Sequence, residues 1–440
     1  MKVRNLSVVA CTSLLLVGCA AEEPMATSEM EMLSVALPLC DSDNGGLSLP
    51  DGFCAIVVAD NLTRPRLIDV ADNGDIYVHS RGARGDQENE PGAGIIALRD
   101  ADGDGRAEII ERFSDRYGTG LELRGDYLYI STTTEVYRYP MTPGELLPQG
   151  EPELIVSGFP EQRGHAEKAF AFDDVGHVYV NVGAPSNACM EVARTKGSVG
   201  QQPCPQRERQ ASIWRFDAER PGQTHEADGY QFVRGTRNIV GIAWDSESRA
   251  IYAMQHGRDA LRSLWGFSDE DSAELPSEEL LRLHEGADFG WPYCYHDWFQ
   301  GKRLLAPEYG GDGKTVGDCG QYDEPRVAFP GHWAPNDILF YTGNQFPASY
   351  RDGAFVVFHG SWNRAPLEQG GYQVAFAARA NDEFTGEWET FANGFAVTMP
   401  LMRPADAIHR PVGIAEGPDG SVYVTDDVGG RIWRVVYTGM

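Results

Sequence analysis

The chain has 440 residues, 42% of them hydrophobic, the composition of a globular protein with one large core or two ordinary ones. Its formal charge of −28 excludes nucleic acid and an anionic membrane surface as electrostatic partners, since both would repel it.

The opening MKVRNLSVVACTSLLLVGCA has a basic start at Lys2 and Arg4, a short apolar run, and then Leu16-Val17-Gly18-Cys19. Small residues leading to a cysteine resemble the site cut by lipoprotein signal peptidase, and the apolar run is too short to span a bilayer comfortably. Residues 1–18 are therefore read as a leader, Cys19 as a lipidated first residue and 19–38 as an acidic tether, with 39–440 forming the folded domain. Ala20, where an aspartate would retain the protein at the inner membrane, points to the outer membrane, so a periplasmic or cell-surface location is expected.

With Cys11 in the leader and Cys19 lipidated, six cysteines remain. In an exported chain an even set implies disulfides, and proximity in sequence pairs Cys40 with Cys54, Cys189 with Cys204, and Cys294 with Cys319. No CxxC metal spacing or CxxCH haem attachment is present.

A phrase of a polar Asp/Gly turn followed by a short β-branched and aromatic strand then recurs: DNGDIYVHS (72–80), RGDYLYIST (124–132), DDVGHVYVNVG (173–183), ESRAIYAMQHG (247–257), RDGAFVVFHGS (351–361) and PDGSVYVTDD (418–427). Six copies at intervals of tens of residues predict an all-β, six-bladed β-propeller rather than βαβ units. Helical periodicity is nearly absent, and only Ser277 to Arg282 reads as a short helix. Between the first two copies, RDADGDGRAE places Asp100, Asp102 and Asp104 at alternate positions, with Glu108 nearby. This is the front half of an acidic calcium loop, and equally the composition of a solvated Asp/Gly turn.

Sites in propellers gather in the loops at one end of the ring, so the residues following each repeated strand are the candidate site. These are Arg81, Asn187, Gly257-Arg258-Asp259 and the run His359 to Arg364; with Arg237-Asn238 and Arg410 they make an arginine-rich mouth on an acidic chain. Such a mouth fits an anionic, planar ligand.

The stretches GHAEKAFAFDDVGHVYVNVGAPSNAC, RGTRNIVGIAW, QHGRD, ADFGWPYC, HGSWNRAP and HRPVGIAEGPDGSVYVTDDVGGRIWRV resemble, in order and over about residues 50–437, the PQQ-dependent soluble sugar dehydrogenases, with the sorbosone, pyranose and aldose dehydrogenase-like branch as the nearest. The resemblance implies the cofactors PQQ and calcium and an aldose or related sugar oxidised at its anomeric carbon to lactone or acid. It implies His165 as general base, Arg237, Arg364 and Arg410 as clamps on the cofactor's acids, and Asn238, Asn363, Arg81 and Lys168 as further contacts. Trp362 would stack or form a wall, and the backbone carbonyls of Gly257 and Arg258 would hold the calcium. Two departures stand out: Gly164 occupies the position where soluble glucose dehydrogenases have a carboxylate before the base, and Arg258 stands where they have proline. His256, His359 and His409 lie near matched motifs as rival bases. Electrons would leave to an external acceptor such as a cytochrome c or a quinone. The same fold also hosts calcium-dependent lactonases or esterases, whose ion is held by axial carboxylates and amides, and non-catalytic glycan-binding propellers.

Overall fold

A computed structural model of the chain describes residues 39–82 and 91–439. The leader, the tether and Cys19 lie outside the described residues. Strand-forming segments alternate with Gly- and Asp-rich turns, and they assemble into six sheets arranged as blades, antiparallel except where Gln223–Thr224 adds a parallel fifth strand to blade two, with a separate two-stranded ribbon of Cys294–Asp297 and Lys302–Leu305. Blades one to five span 65–113, 121–157, 170–234, 239–329 and 335–392, and blade six takes its three inner strands from 411–437. Its outermost strand is Phe53–Ala59, paired antiparallel with Ile432–Tyr437, so the two ends of the described chain close the ring. Edge-on contacts of the Phe53 ring with Phe346 and Phe391, at 4.8 and 5.1 Å, pack this closing strand against blade five. Burying one such ring stabilises the closure by about 1.5–3 kcal/mol.

The innermost strands are Pro65–Val70, Leu121–Arg124, Phe170–Phe172, Ile239–Asp245, Pro335–Phe340 and Pro411–Glu416. The repeated phrase of the sequence forms the second strand of every blade, antiparallel to the innermost one. The end of each repeated strand therefore shares a face with the start of its innermost neighbour. That geometry puts Arg237-Asn238, which precede an innermost strand, beside Gly257 to Asp259, which follow a repeated one.

The expected helix at Ser277 to Arg282 is a strand: Glu278–Leu283 is the third strand of blade four, between Ala250–Gln255 and Val327–Phe329. Glu and Leu favour helix locally, but both faces of this segment are covered, and tertiary pairing overrides the propensity. The carboxylates of Glu278 and Glu279 remain buried because they find donors, Gly257 N at 2.7 Å for the first and Arg303 Nη2 at 2.6 Å for the second. Short helices occur instead at His225–Asp228, Leu261–Trp265 and Asp269–Glu274. Among the described residues no helix is long and apolar enough to cross a membrane.

All three disulfides pair as the spacing predicts: Cys40–Cys54, Cys189–Cys204 and Cys294–Cys319. The second staples the long insertion between His177–Val182 and Ser212–Asp217, and the third the insertion that follows Glu278–Leu283. The two insertions meet where Trp291 Nε1 donates to Asn187 O at 3.1 Å, beside the face just described.

Candidate active site

On that face, Asp259 is a hub. Its carboxylate accepts from Arg237 Nη2 at 3.0 Å, Arg194 Nη2 at 2.8 Å and Asn363 Nδ2 at 2.9 Å. The Arg237 guanidinium, 4% exposed as a residue, also donates to Asn187 Oδ1 at 3.0 Å and Gly257 O at 2.8 Å. Burial raises the pKa of the Asp259 carboxyl, but the neighbouring cations, Arg237 first among them, outweigh it and hold the group well below the ordinary range. The Arg-Asn pair is thus not a surface cation beside a turn amide: Arg237 is locked to blade four's loop, and Asn238 follows it toward the axis.

Asn238 lies against His165. A Cβ built on Gly183 would stand 2.8 Å from His165 Cβ and 3.3 Å from Asn238 Oδ1, so only glycine lets the three segments approach. His165 is itself left-handed, at φ 52°. Gln162 stabilises this conformation by directing Nε2 at the carbonyls of Gly164, His165 and Gly183, 2.8, 2.9 and 3.0 Å away. The imidazole Nδ1 lies 2.6 Å from Ala184 O, and since a carbonyl only accepts, Nδ1 carries the hydrogen. His165 Nε2 takes no hydrogen bond among the described residues, leaving its lone pair for an incoming proton. Burial, and next the charge of Arg237, push the imidazole down to about 3, so it is neutral across the physiological range. The orienting group that Gly164 cannot supply is therefore the Ala184 carbonyl.

The other wall of the mouth belongs to blades one and six. Arg81 pairs with Glu167 and lies 5.6 Å from the Tyr117 ring centroid. Arg66 pairs with Asp427 at 2.8 Å, and the same carboxylate meets His359 Nε2 at 2.9 Å. Arg410 Nε donates to His359 O at 3.1 Å, its second nitrogen to Gly360 O. Burial raises the Glu167 pKa, yet Arg81 and Arg66 prevail and hold it at about 2. His256, with Nε2 2.7 Å from Pro335 O, and His359 are both lowered to about 4, chiefly by burial. His409 instead bonds Asp426 at 2.6 Å and packs on Trp433, a structural role behind Arg410.

Several expected contacts sit elsewhere. Arg364 donates to Ala273 O at 2.8 Å and Gly331 O at 3.1 Å and pairs with Glu274 at 2.5 Å, tying the HGSWNR loop to blade four. Lys168 is fully buried with Nζ on Ala166 O at 2.6 Å, and burial lowers its pKa to about 8. Trp362 is 63% exposed at the rim. Glu167, Asp427 and Arg66 had no assigned role from sequence, although the first two stand within quoted motifs; nothing local reveals that Arg66 and Asp427, 361 residues apart, form one pair.

Asp100, Asp102, Asp104 and Glu108 converge so that one ligand atom of each lies within 4.8 Å of the others. Their oxygens accept turn amides, including Gly103 N and Gly105 N on Asp100 at 2.7 and 2.8 Å. At the opposite end of the axis, a cavity of about 690 Å³ runs between the innermost strands. Of the carboxylates lining it, Asp69 and Asp337 bond backbone amides of the next blades, Leu123 N at 2.7 Å and Ile414 N at 2.9 Å.

The donor set fits a planar polycarboxylate. Arginines of blades one, four and six (Arg66, Arg81, Arg237 and Arg410) bring fixed positive charge to the mouth for its acids, while the buried, unpartnered Oδ1 of Asn238 can only accept and so suits a ligand hydroxyl rather than a carboxylate. Calcium also fits the carbonyls: Gly257 O has a second lone pair beyond the one that accepts from Arg237, and the Arg258 guanidinium does not oppose an ion, because it is neutralised by buried Glu308.

The TrAA12-like family description matches residues 47–438. Over 206 residues, 46% of this chain and 48% of the relative, the sequence is 32% identical to an uncharacterized protein of Borreliella burgdorferi. Over 237 residues, 46% of this chain and 30% of the relative, it is 27% identical to the pyrroloquinoline quinone-dependent pyranose dehydrogenase of Coprinopsis cinerea. The matches span less than half the length of these curated relatives. Among solved structures, the holo PQQ domain of the Coprinopsis cinerea pyranose dehydrogenase superposes with a TM-score of 0.71 at 20% identity, covering 89% of this chain and 97% of that one. A calcium structure of a Trichoderma reesei family AA12 protein gives 0.72 at 20% identity, covering 89% and 97%. At these identities the structural likeness shows the shared propeller.

Proposed function

Because the chain belongs to the TrAA12-like family, we propose that it is an exported quinoprotein that oxidises an aldose or related sugar at the anomeric carbon, yielding lactone or acid. The observation that carries the reading is the neutral His165 imidazole, its Nδ1–H tied to Ala184 O and its Nε2 free beside buried, unpartnered Asn238 Oδ1. When bound, PQQ supplies a quinone able to accept the hydride that leaves the sugar. His165 Nε2 takes the proton of the anomeric hydroxyl in the same oxidation. Asn238 is placed to donate or accept at the reacting edge, and Arg237, fixed by Asp259, supplies positive charge that need not reorganise. Arg410 would hold an acid group of the cofactor, and the carbonyls of Gly257 and Arg258 would hold calcium. Arg81 and Asn363 shape the wall through Glu167 and Asp259. Electrons then pass to a separate acceptor, a cytochrome c or a quinone.

Three formed disulfides agree with an oxidising compartment, and the lipobox-like sequence before Cys19 supports anchoring in the periplasm or at the cell surface through lipid. Titrating the apo protein with PQQ and calcium, followed by dye reduction over a panel of aldoses, tests the function. Saturable binding with sugar-dependent reduction supports it. Lactone hydrolysis without PQQ, or glycan binding without turnover, would replace it.

A further inference from the structure

Blades one and six repeat each other without a gap. TRPRLIDVADNGDIYVHSR (63–81) aligns with HRPVGIAEGPDGSVYVTDD (409–427), so that Arg64-Pro65 matches Arg410-Pro411 and Ile76-Tyr77-Val78 matches Val422-Tyr423-Val424. The strand registers are also the same: Pro65 pairs with Ser80 and Ile68 with Val78, while Pro411 pairs with Asp426 and Ile414 with Val424, with the same irregularity between the two pairs. Arg64 and Arg410 therefore start equivalent innermost strands in adjacent blades and stand at the same level of the mouth. They are close enough that the positive charge of Arg64 acts on Arg410.

Their surroundings differ. Arg410 has the carbonyls of His359 and Gly360 and lies 5.6 Å from the Tyr372 ring centroid. Arg66 and Arg81 have Asp427 and Glu167. Among the described residues the Arg64 guanidinium has no acceptor at all, and its Nε is shut off from solvent without a hydrogen bond. The residue also adopts φ 40°, a left-handed conformation that costs a non-glycine residue energy. Its carbonyl is held there by Arg81 N at 3.2 Å. A partly buried cation that has no acceptor among the described residues, beside arginines that are each already paired, keeps its donors available to an anion.

We propose that Arg64 binds an acid group of the anionic planar ligand, forming with Arg410 a two-blade clamp, and that it takes the part the sequence motif suggested for Arg364. The proposal rests on the quinoprotein reading for the identity of that ligand, PQQ.

The test is equilibrium binding of PQQ to the apo full-length protein with calcium present, read by tryptophan quenching, for wild type, R64A, R64K and R364A, with thermal unfolding of each apo variant as a folding control. R64A is expected to weaken PQQ binding at least about tenfold, the effect of losing one charge-assisted hydrogen bond, with its apo melting temperature unchanged or raised because a partly buried, unpaired guanidinium is removed. R64K, which keeps the charge but not the planar fork, should fall between wild type and R64A. R364A should lower the melting temperature while affinity of the folded fraction changes less than in R64A. R64A binding within twofold of wild type overturns the proposal. So does R64K binding as weakly as R64A when both apo variants have lost stability, which would make Arg64 a structural residue. Wild type that does not bind PQQ sinks the quinoprotein reading and this proposal with it, whereas wild type that binds beside an indifferent R64A sinks this proposal alone.

Discussion

His165 Nδ1 lies 2.6 Å from the carbonyl oxygen of Ala184, and the amide of Ala184 donates to the Arg237 carbonyl at 2.7 Å. One residue, Ala184, thus joins the imidazole through its carbonyl to the backbone of the cation that precedes blade four through its amide. The arrangement sets the tautomer of His165 and its distance from Arg237 together, so that a shift of one disturbs the other.

If Nε2 is the proton acceptor, His165→Ala should lower kcat by about 10²–10⁴, the usual contribution of a general base, while PQQ affinity stays within a few-fold of wild type. Steady-state kinetics beside a binding titration separates the two quantities. Turnover near the wild-type rate would remove His165 from the chemistry and leave His256 or His359 to be tried.

The acid limb of kcat/KM carries a second expectation. Burial and Arg237 push the His165 imidazole to about 3, and the base form is the neutral one. Its proton-accepting state therefore persists as pH falls, and the limb should lie well below the ordinary histidine value of about 6.5. A pH–rate profile that breaks near 6.5 would show a solvated imidazole instead.

Stability should respond to pH through Glu278, whose carboxyl is raised by burial to about 7 despite accepting from Gly257 N and Ala334 N. The folded state then keeps a proton that the unfolded chain releases above about 4.5. The associated stability is complete below that value and is lost as pH rises through 7, with a slope of at most about 1.4 kcal/mol per pH unit. The buried imidazoles act in the opposite sense: lowered pKa values make their contribution full above about 6.5 and lost as pH falls toward 4. In melting curves from pH 4 to 8, Glu278→Gln should flatten the decline on the alkaline side and leave the acid side intact. An unchanged alkaline slope would assign it to another group, Asp337 at about 7 being the nearest in kind.

Cys189 and Cys204 are buried with Ala184 and Trp291 beside the loop that carries Asn187, a partner of Arg237. Their bridge closes a sequence separation of 15, for which loop entropy gives about 3 kcal/mol. The double substitution to alanine should cost roughly that much in urea unfolding and should also weaken PQQ binding, because Asn187 loses its anchor. Loss of stability with affinity unchanged would mean that Asn187 is positioned by Trp291 and Asp259 alone.

Much of the architecture was legible in the sequence for local reasons. A two-residue side-chain period between Gly/Asp turns specifies strands, six recurrences specify six blades, and cysteines close in sequence found each other because the intervening chain is short. Arg237, Asn238 and Arg410 were legible as mouth residues because they lie where a strand begins, whereas His165 was legible only through the family resemblance of GHAEK. What only the tertiary structure decided is which charges remain open to a ligand. Glu278–Leu283 became a strand because both its edges pair with neighbouring strands of blade four. Arg364 and Lys168 turned to backbone carbonyls, while Arg64 kept none. A guanidinium's role depends on the carboxylates and carbonyls within about 3 Å of it, and in a closed ring those come from chain segments as distant as Arg66 and Asp427.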